Sequence, residues 1–514
     1  MKTNQRKAPN TDFFEILPQA ISSLKKTIIT PIFGDGKNEK YANERPPLRS
    51  ELFTEEQLEQ HALALSKKHP LISEHPSEQL LKRLAENEEI LLEVHALLTE
   101  VVKNNNRIAP AGEWLLDNFY LVEEQIYTGK KHLPKGYSKG LPQLSKGESA
   151  GLPRVYDIAV EIISHSDGHV DLKSLTGFVT SYQKNTFLQL GELWAIPIML
   201  RLALIENLRR ISIQISNDIS YKELANKWAD EMIEVAENDP KNLVLVIADM
   251  ARSEPPMVSA FIAELTRRLQ EKGNSLSLPL TWIEQTLTDS GLNSSELIHR
   301  ENQMQAADQV SISNSISSLR FLSTTDWRDF VETTSIVEQT LLRDIDGTYQ
   351  KMDFFTRDTY RHAVEKIAKY SALTEHKVAE IAIQLALENA RSNTETRKNH
   401  VGYFLAGKGL KKLEKAAKMK CGKMDSCKRM FNRVPTLYYI GGILLITLLL
   451  GYTLFSRLYH PEKNTFFLIG MAIIIFLALS RLAVALVNWL SNLLVQPYLL
   501  PRMNFSDGIP EEYR

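Results

Sequence analysis

The 514-residue chain is poor in cysteine, with only Cys421 and Cys427, in "CGKMDSC", and no histidine beside them. Such a pair builds neither a disulfide framework nor a zinc site, so both thiols are expected to be free and reduced. The chain also lacks a charge imbalance. Lys and Arg number 61 against 62 Asp and Glu, which removes any global argument for a nucleic-acid partner, and none is expected. The start, "MKTNQRKAPNTDFFEILPQAISSLKKTIITPIF", is basic but has no unbroken apolar run leading to a small-residue cleavage site, so export of this part is not expected.

Alternating β-branched segments are scarce as well. "LVLVIA" at 243–248 is the best strand candidate and reads equally well as buried helix. No fixed-period repeat is apparent, which leaves a degenerate α-solenoid open.

The usual catalytic signatures are missing. "GDGK" at 34–37 and "GKGLKK" at 407–412 lack the spacing and the following Ser/Thr of a phosphate-cradling loop. G-x-S-x-G and H-E-x-x-H do not occur. These absences count against an independent hydrolase or ATPase. One D-x-D is present, "DID", Asp344 to Asp346, but it follows "TTSIVEQTLLR", a helical pattern rather than a strand, and reads as a chance match rather than a metal site. Glu113 with Asp117, and Glu123 with Glu124, lie on helical stretches and read as solvated faces rather than acid–base pairs. Asp353 with Arg357, and Asp358 with Arg361, have the spacing of helix-surface pairs worth a few tenths of a kcal/mol. Pro197 in "LWAIPIMLRL" is read as a boundary between two packed helices.

What the sequence does contain is helical texture. Residues 1–48 read as a polar, flexible arm, broken by "FGDGKNEKYANERPP". From 49 to 405 apolar residues recur at helical spacing, as at Leu80, Leu84, Leu91, Val94, Leu98 and Val101, where Ser77 is a plausible N-cap. The fold class is therefore mostly α: a multi-helix cytoplasmic body followed by a two-span transmembrane hairpin. The first span is 434–456, 23 residues without a charge, "VPTLYYIGGILLITLLLGYTLFS", enough to cross about 30 Å of hydrocarbon. The second starts at 465 with 16 uncharged residues to Ser480 and is carried to 488. Arg481 is expected near the opposite face, where its long side chain snorkels to the headgroups. Residues 489–514 read as an interfacial segment and cytoplasmic tail, although "LAVALVNWLSNLLVQPYLLP" also suits a continued tilted helix.

Orientation follows from the juxtamembrane segment 406–433, where ten Lys/Arg and two acids lie between Lys408 and Arg433. Positive flanks stay cytoplasmic, so both termini are expected in the cytoplasm of a multi-pass membrane protein whose partner is the lipid bilayer.

Several long segments, taken together, resemble the N-terminal region of cyclic β-1,2-glucan synthases, bacterial inner-membrane glycosyltransferases. They include "PPLRSELFTEEQLEQHALAL", "PAGEWLLDNFYLVEEQI", "LPKGYSKGLPQL", "GLPRVYDIAVEIISHSD", "GELWAIPIMLRLALIENLRR", "QVSISNSISSLRFLSTTDWRDFVETTSIVEQTLLRD", "YQKMDFFTRDTYRHAVEKIA", "HVGYFLAGKGLKKLE" and "LLPRMNFSDGIPEEYR". The resemblance implies glucosyl transfer from UDP-glucose by the complete enzyme, with a divalent metal in a transferase domain that starts shortly after the equivalent of "MNFSDGIPEEYR". That domain would follow in the chain or be supplied by a separate catalytic subunit.

The family's metal-binding carboxylates and its Q-x-x-R-W motif have no match here, since none of the six tryptophans follows an arginine. No catalytic, cofactor-binding or metal-ligating residue is therefore assigned, and whether the chain is itself an enzyme stays open. The alternative is a non-catalytic, membrane-anchored helical adaptor.

Overall fold

The computed structural model describes residues 45–72, 79–134, 136–392, 398–420, 435–458, 465–494, 500–506 and 508. Most of the 1–48 arm with its "GDGK", the Ser77 cap, Cys421 and Cys427, the second half of the basic segment, the link between the spans and the last residues lie outside the described residues. The chain divides into two units, Met1–Thr334 and Ser335–Arg514. Among the described residues regular structure is helical, with isolated β-bridges and no strands.

The first unit holds α1 (Glu55–Lys68), α2 (Leu80–Lys103), α3 (Pro110–Asp117), α4 (Phe119–His132), α5 (Arg154–His165), α6 (Leu172–Gln183), α7 (Leu190–Asn238), α8 (Leu243–Arg252), α9 (Ser259–Gln270), α10 (Ser277–Asp289), α11 (Ser294–Thr324) and α12 (Trp327–Thr334). Helix α7, at 49 residues, is the axis, about 73 Å long at the ordinary rise. Every residue from Ile198 to Ile213 is buried. A helix buried around its whole circumference must be packed on all sides, and α2, α4, α5, α9 and α11 surround it. Pro197 does not divide it: the helix runs through, which corrects the boundary reading. The neighbouring Ile196, Ile198 and Met199 are all buried, so packing outweighs the roughly 3 kcal/mol that an internal proline costs.

Polar residues on this buried stretch find partners, as buried polar groups must. Asn207 accepts from Leu48 N at 2.8 Å and donates to Ser311 and Ser315 of α11 at 3.3 and 3.2 Å. This explains the serine-rich texture of α11. Ser318 likewise donates to the Gly168 carbonyl at 2.8 Å and accepts from Val170 N at 2.9 Å. Gly168 has φ +79°, and a Cβ there would sit 2.6 Å from Ser315 Oγ, so only glycine fits the turn that follows α5.

In α2, Leu80, Leu84, Leu91, Val94, Leu98 and Val101 are all buried, as their spacing predicts. The ambiguous "LVLVIA" is helical: Leu243, Val246, Ile247 and Met250 of α8 turn inward. Val244 and Leu245 stay exposed, the one-sided pattern of a 3.6-residue period. With Ala225, Ala229 and Met232 from the far half of α7 and Phe261 and Leu265 of α9, they form a second apolar cluster.

The second unit contains α13 (Ile336–Leu341), α14 (Phe354–Lys369), α15 (Glu375–Ser392), α16 (Gly402–Leu405) and α17 (Leu410–Ala416) around Tyr349, Tyr360, Val364, Val378, Ala382 and Phe404. Then come α18 (Pro435–Leu458) and α19 (Thr465–Leu494). Thr436–Arg457 and Leu468–Leu493 are long and apolar enough to cross a membrane. A core helix of that composition would be hidden, whereas Leu445, Leu448, Ile474 and Leu477 all face outward.

The two helices are antiparallel: Tyr439 near the start of α18 donates to Asn488 near the end of α19 at 2.7 Å. Ile475, Ala483 and Val487 are buried on the shared face. Helix α19 continues through Trp489 to Leu494, the continued-helix reading of that stretch. It sets Arg481 seven residues, about 10 Å, short of the Tyr439–Asn488 level rather than at the helix end.

After α19 the chain comes back to the helical part of its own unit. Asp353 N donates to Arg502 O at 3.0 Å and Asn504 N to Lys351 O at 2.8 Å. Arg502 N donates to Thr356 Oγ1 at 2.9 Å, and Met352 bridges antiparallel to Met503.

The inward and outward faces of α8 give a direct check. Ile247→Ala is expected to destabilise the first unit by about 2–4 kcal/mol, while Leu245→Ala stays within about 0.5 kcal/mol. Urea unfolding of the purified chain measures both.

Candidate functional site

The first unit carries a cavity of ≈ 320 Å³, partly open to solvent, whose walls include Arg45, Lys68, His69, Arg83, Lys146, Tyr156, Asp157, Glu161 and Arg210. Helix α1 supplies His69 at its C-cap, α2 supplies Arg83, α5 supplies Tyr156, Asp157 and Glu161 along one face, and α7 supplies Arg210. Behind the wall lies Glu206, fully buried on α7. Arg83 grips it through Nε at 3.2 Å and Nη2 at 3.0 Å, and Arg209 and Arg210 add bonds at 3.3 and 2.9 Å. Burial alone would raise the Glu206 pKa. The Arg83 fork, and then the charges of Arg83, Arg209 and Arg210, instead hold it well below the ordinary carboxylate range. Tyr156 is pushed up to about 12 by burial, with the Glu206 charge adding to the shift.

His69 sits between Tyr182 (2.9 Å to Nδ1) and Asp157 (3.0 Å to Nε2). The Asp157 carboxylate can only accept, so Nε2 carries the proton of a neutral ring and Nδ1 accepts from the Tyr182 hydroxyl, which burial pushes up to about 12. The order Tyr–His–Asp resembles a proton relay. Tyr182 is however wholly buried under the Arg154 guanidinium, 6.0 Å from its ring, and Arg154 is itself locked to Glu192 at 2.6 and 2.7 Å. No substrate atom reaches such a hydroxyl, so the trio clamps α1, α5 and α6 together.

Beside the cavity, His61 of α1 and Glu161 and His165 of α5 form a group whose ligand-type atoms all lie within 4.8 Å of one another, a set able to hold a metal ion. The sequence carried no signal of it, because His61 and Glu161 are 100 residues apart.

In the second unit Glu338 of α13 accepts from Tyr349 Oη at 2.6 Å, Arg361 Nη1 at 2.6 Å and Arg357 Nη1 at 3.1 Å. This corrects the reading of Asp353/Arg357 and Asp358/Arg361 as helix-surface pairs. Asp353 is the N-cap of α14, accepting from Thr356 N, and Arg361 is fully buried, with Asp358 a secondary partner at 3.1 Å. An arginine at i+3 or i+4 reads as solvent-facing only while its helix face is unknown. Glu113, Asp117, Glu123 and Glu124 are exposed on α3 and α4, as predicted.

The D-x-D carboxylates part company. Asp346 is exposed and accepts from Thr348 Oγ1 at 2.5 Å. Asp344 is buried, accepts from Val401 N at 3.1 Å and lies 3.3 Å from His400 Nε2. Gly402 N donates to His400 Nδ1 at 2.9 Å, which puts the ring proton on Nε2, facing Asp344. In "GKGLKK" the Gly407 and Gly409 N–H groups donate to the Gly402 and Tyr403 carbonyls, so they cradle no phosphate.

Burial, with the nearby Asp346 charge, raises Asp344 from 3.8 to about 6, against the opposing hydrogen bond from Val401 N–H. The folded chain therefore binds an extra proton between these values, and this group adds stability as pH falls through 6 and withdraws it as pH rises. Asp344→Asn is expected to remove this pH dependence, so that between pH 7.5 and pH 4.5 the stability difference shifts in the parent's favour by about 1–3 kcal/mol. Denaturant titrations at the two pH values measure it.

No family profile matches the chain. Over 437 residues it is 32% identical to cyclic beta-(1,2)-glucan synthase NdvB of Rhizobium meliloti (strain 1021). The match covers 84% of this chain and 15% of that protein. Over that span the chain is similar to this glucan synthase, of whose length it matches only a small part.

Proposed function

We propose that this chain is the N-terminal cytoplasmic and membrane-anchoring region of a cyclic β-1,2-glucan synthase, lacking the catalytic centre. Glucosyl transfer from UDP-glucose, with its divalent metal, then belongs to a catalytic domain that follows this region or joins it as a separate subunit. The observation that carries the reading is the 32% identity over 437 residues. The parting of Asp344 from Asp346, one buried against backbone and one turned to solvent, supports placing the metal-dependent chemistry elsewhere, because a diphosphate-bound cation needs converging oxygen ligands.

In this reading the chain sits in the bacterial inner membrane with both ends of the hairpin cytoplasmic. The antiparallel α18 and α19, the pairing of 502–504 with 351–356 and the run of ten Lys/Arg before the first span support it. The region holds the active domain at the bilayer and hands the chain to it on the cytoplasmic side, where UDP-glucose is available.

Two assays test this. Purified chain in lipid vesicles is expected to incorporate no radiolabelled glucose from UDP-glucose into glucan, and incorporation by the chain alone overturns the non-catalytic reading. Deleting its gene from the source organism is expected to abolish cyclic glucan. Unchanged glucan in the deletion strain overturns the synthase reading in favour of the adaptor.

A further inference from the structure

We propose that His61, Glu161 and His165 form a binding site for a divalent transition metal of the zinc class, separate from any metal of glucosyl transfer. The ligand set is two imidazoles and one carboxylate. Such nitrogen-rich sites suit zinc and its neighbours and are poor for magnesium or calcium, which take oxygen.

Three observations carry the assignment. The first is spacing. Around a tetrahedral ion with bonds of about 2.0–2.1 Å, ligand atoms stand about 3.4 Å apart. Glu161 Oε2 lies 2.8 Å from His61 Nε2 and 3.6 Å from His165 Nε2, so one carboxylate oxygen already faces both nitrogens.

The second is the way His165 is held. Its Nδ1 donates to the Glu51 carbonyl at 2.7 Å. That fixes the proton on Nδ1 and leaves the Nε2 lone pair directed at Glu161, the tautomer and backing bond that metal-ligating histidines use. Phe53 stacks on the ring at 3.9 Å with an interplanar angle of 6°, so its orientation is fixed before any ion arrives.

The third is access. The side chains of His61, Glu161 and His165 keep 27%, 29% and 13% of their surface exposed. Glu161 also lines the cavity, from which water would complete a four-coordinate shell. Spacing on α5 is part of the design: Glu161 and His165 are four residues apart, on one face of the helix, and His61 comes from α1. An ion would therefore join two helices that are far apart in sequence. Without it His61 and Glu161 form an ordinary histidine–carboxylate pair, and the test separates the two cases.

The probe is Co²⁺, then Zn²⁺, added to the full chain purified in detergent without a polyhistidine tag and stripped with chelator. The expected result is one Co²⁺ per chain with the intense visible absorption of a tetrahedral site, lost on adding one equivalent of Zn²⁺. Zn²⁺ is also expected to raise the melting temperature of the parent chain. Glu161→Gln, which keeps the shape of the side chain, and His61→Ala are each expected to weaken binding by more than about tenfold and to remove the thermal shift, with unchanged far-ultraviolet circular dichroism. Uptake below one equivalent, or uptake of equal strength in the parent and in both variants, overturns the proposal. Neither result depends on glucan synthesis, so the site stands or falls apart from the functional reading on which the rest of the chain's role is based.

Discussion

The short pairing between 502–504 and 351–356 is the constraint from which the second unit takes its form. Three hydrogen bonds and the Met352–Met503 bridge tie the residues after α19 to the residues that open α14. The chain leaves the helical part of this unit at Lys420 and is back beside it by Arg502, with the antiparallel α18 and α19 in between. The Tyr439–Asn488 bond closes the same end of the hairpin from within. Each contact is worth only about 1 kcal/mol net. Their consequence is topological: they bring residues 502–504, beyond α19, back beside the start of α14.

In the first unit the corresponding constraint is α7. Burying 198–213 on all sides brings Arg201, Glu206, Asn207, Arg209 and Arg210 into the core, where Arg209 and Arg210 bind Glu206 within α7 and the others reach partners on neighbouring helices. Arg83 of α2 meets Glu206, Gln125 of α4 meets Arg201 at 2.8 Å, and the serines of α11 meet Asn207. Such buried ionic groups add little net stability over apolar replacements, but leaving one unpaired costs several kcal/mol. Alternative packings of the surrounding helices are penalised accordingly. The cavity lies beside this network, with Arg83 and Arg210 of the Glu206 cluster in its wall.

Much of this was legible in the sequence. The helical class, the inward stripe of α2 and the two membrane-length helices follow from period and charge, which are local properties. Pro197 misled because proline's cost is local and α7's packing is not. Arg357 and Arg361 misled because a spacing of three or four fixes which residues share a helix face and leaves open whether that face meets water. The His61–Glu161–His165 group was invisible, since His61 comes from a helix about 100 residues away and a lone Glu–His pair four apart on α5 is as common on a solvated helix face. The family resemblance came from long segments and needed no three-dimensional information.

The most direct test of the account is the side of the membrane on which the residues after α19 lie. In a chain with Cys421 and Cys427 replaced by serine, single cysteines introduced by Glu380→Cys, Glu462→Cys and Ser506→Cys are exposed to a membrane-impermeant maleimide in intact spheroplasts. The account predicts that only Glu462→Cys is labelled until the membrane is permeabilised. Labelling of Ser506→Cys from outside, with Glu380→Cys still protected, would contradict it.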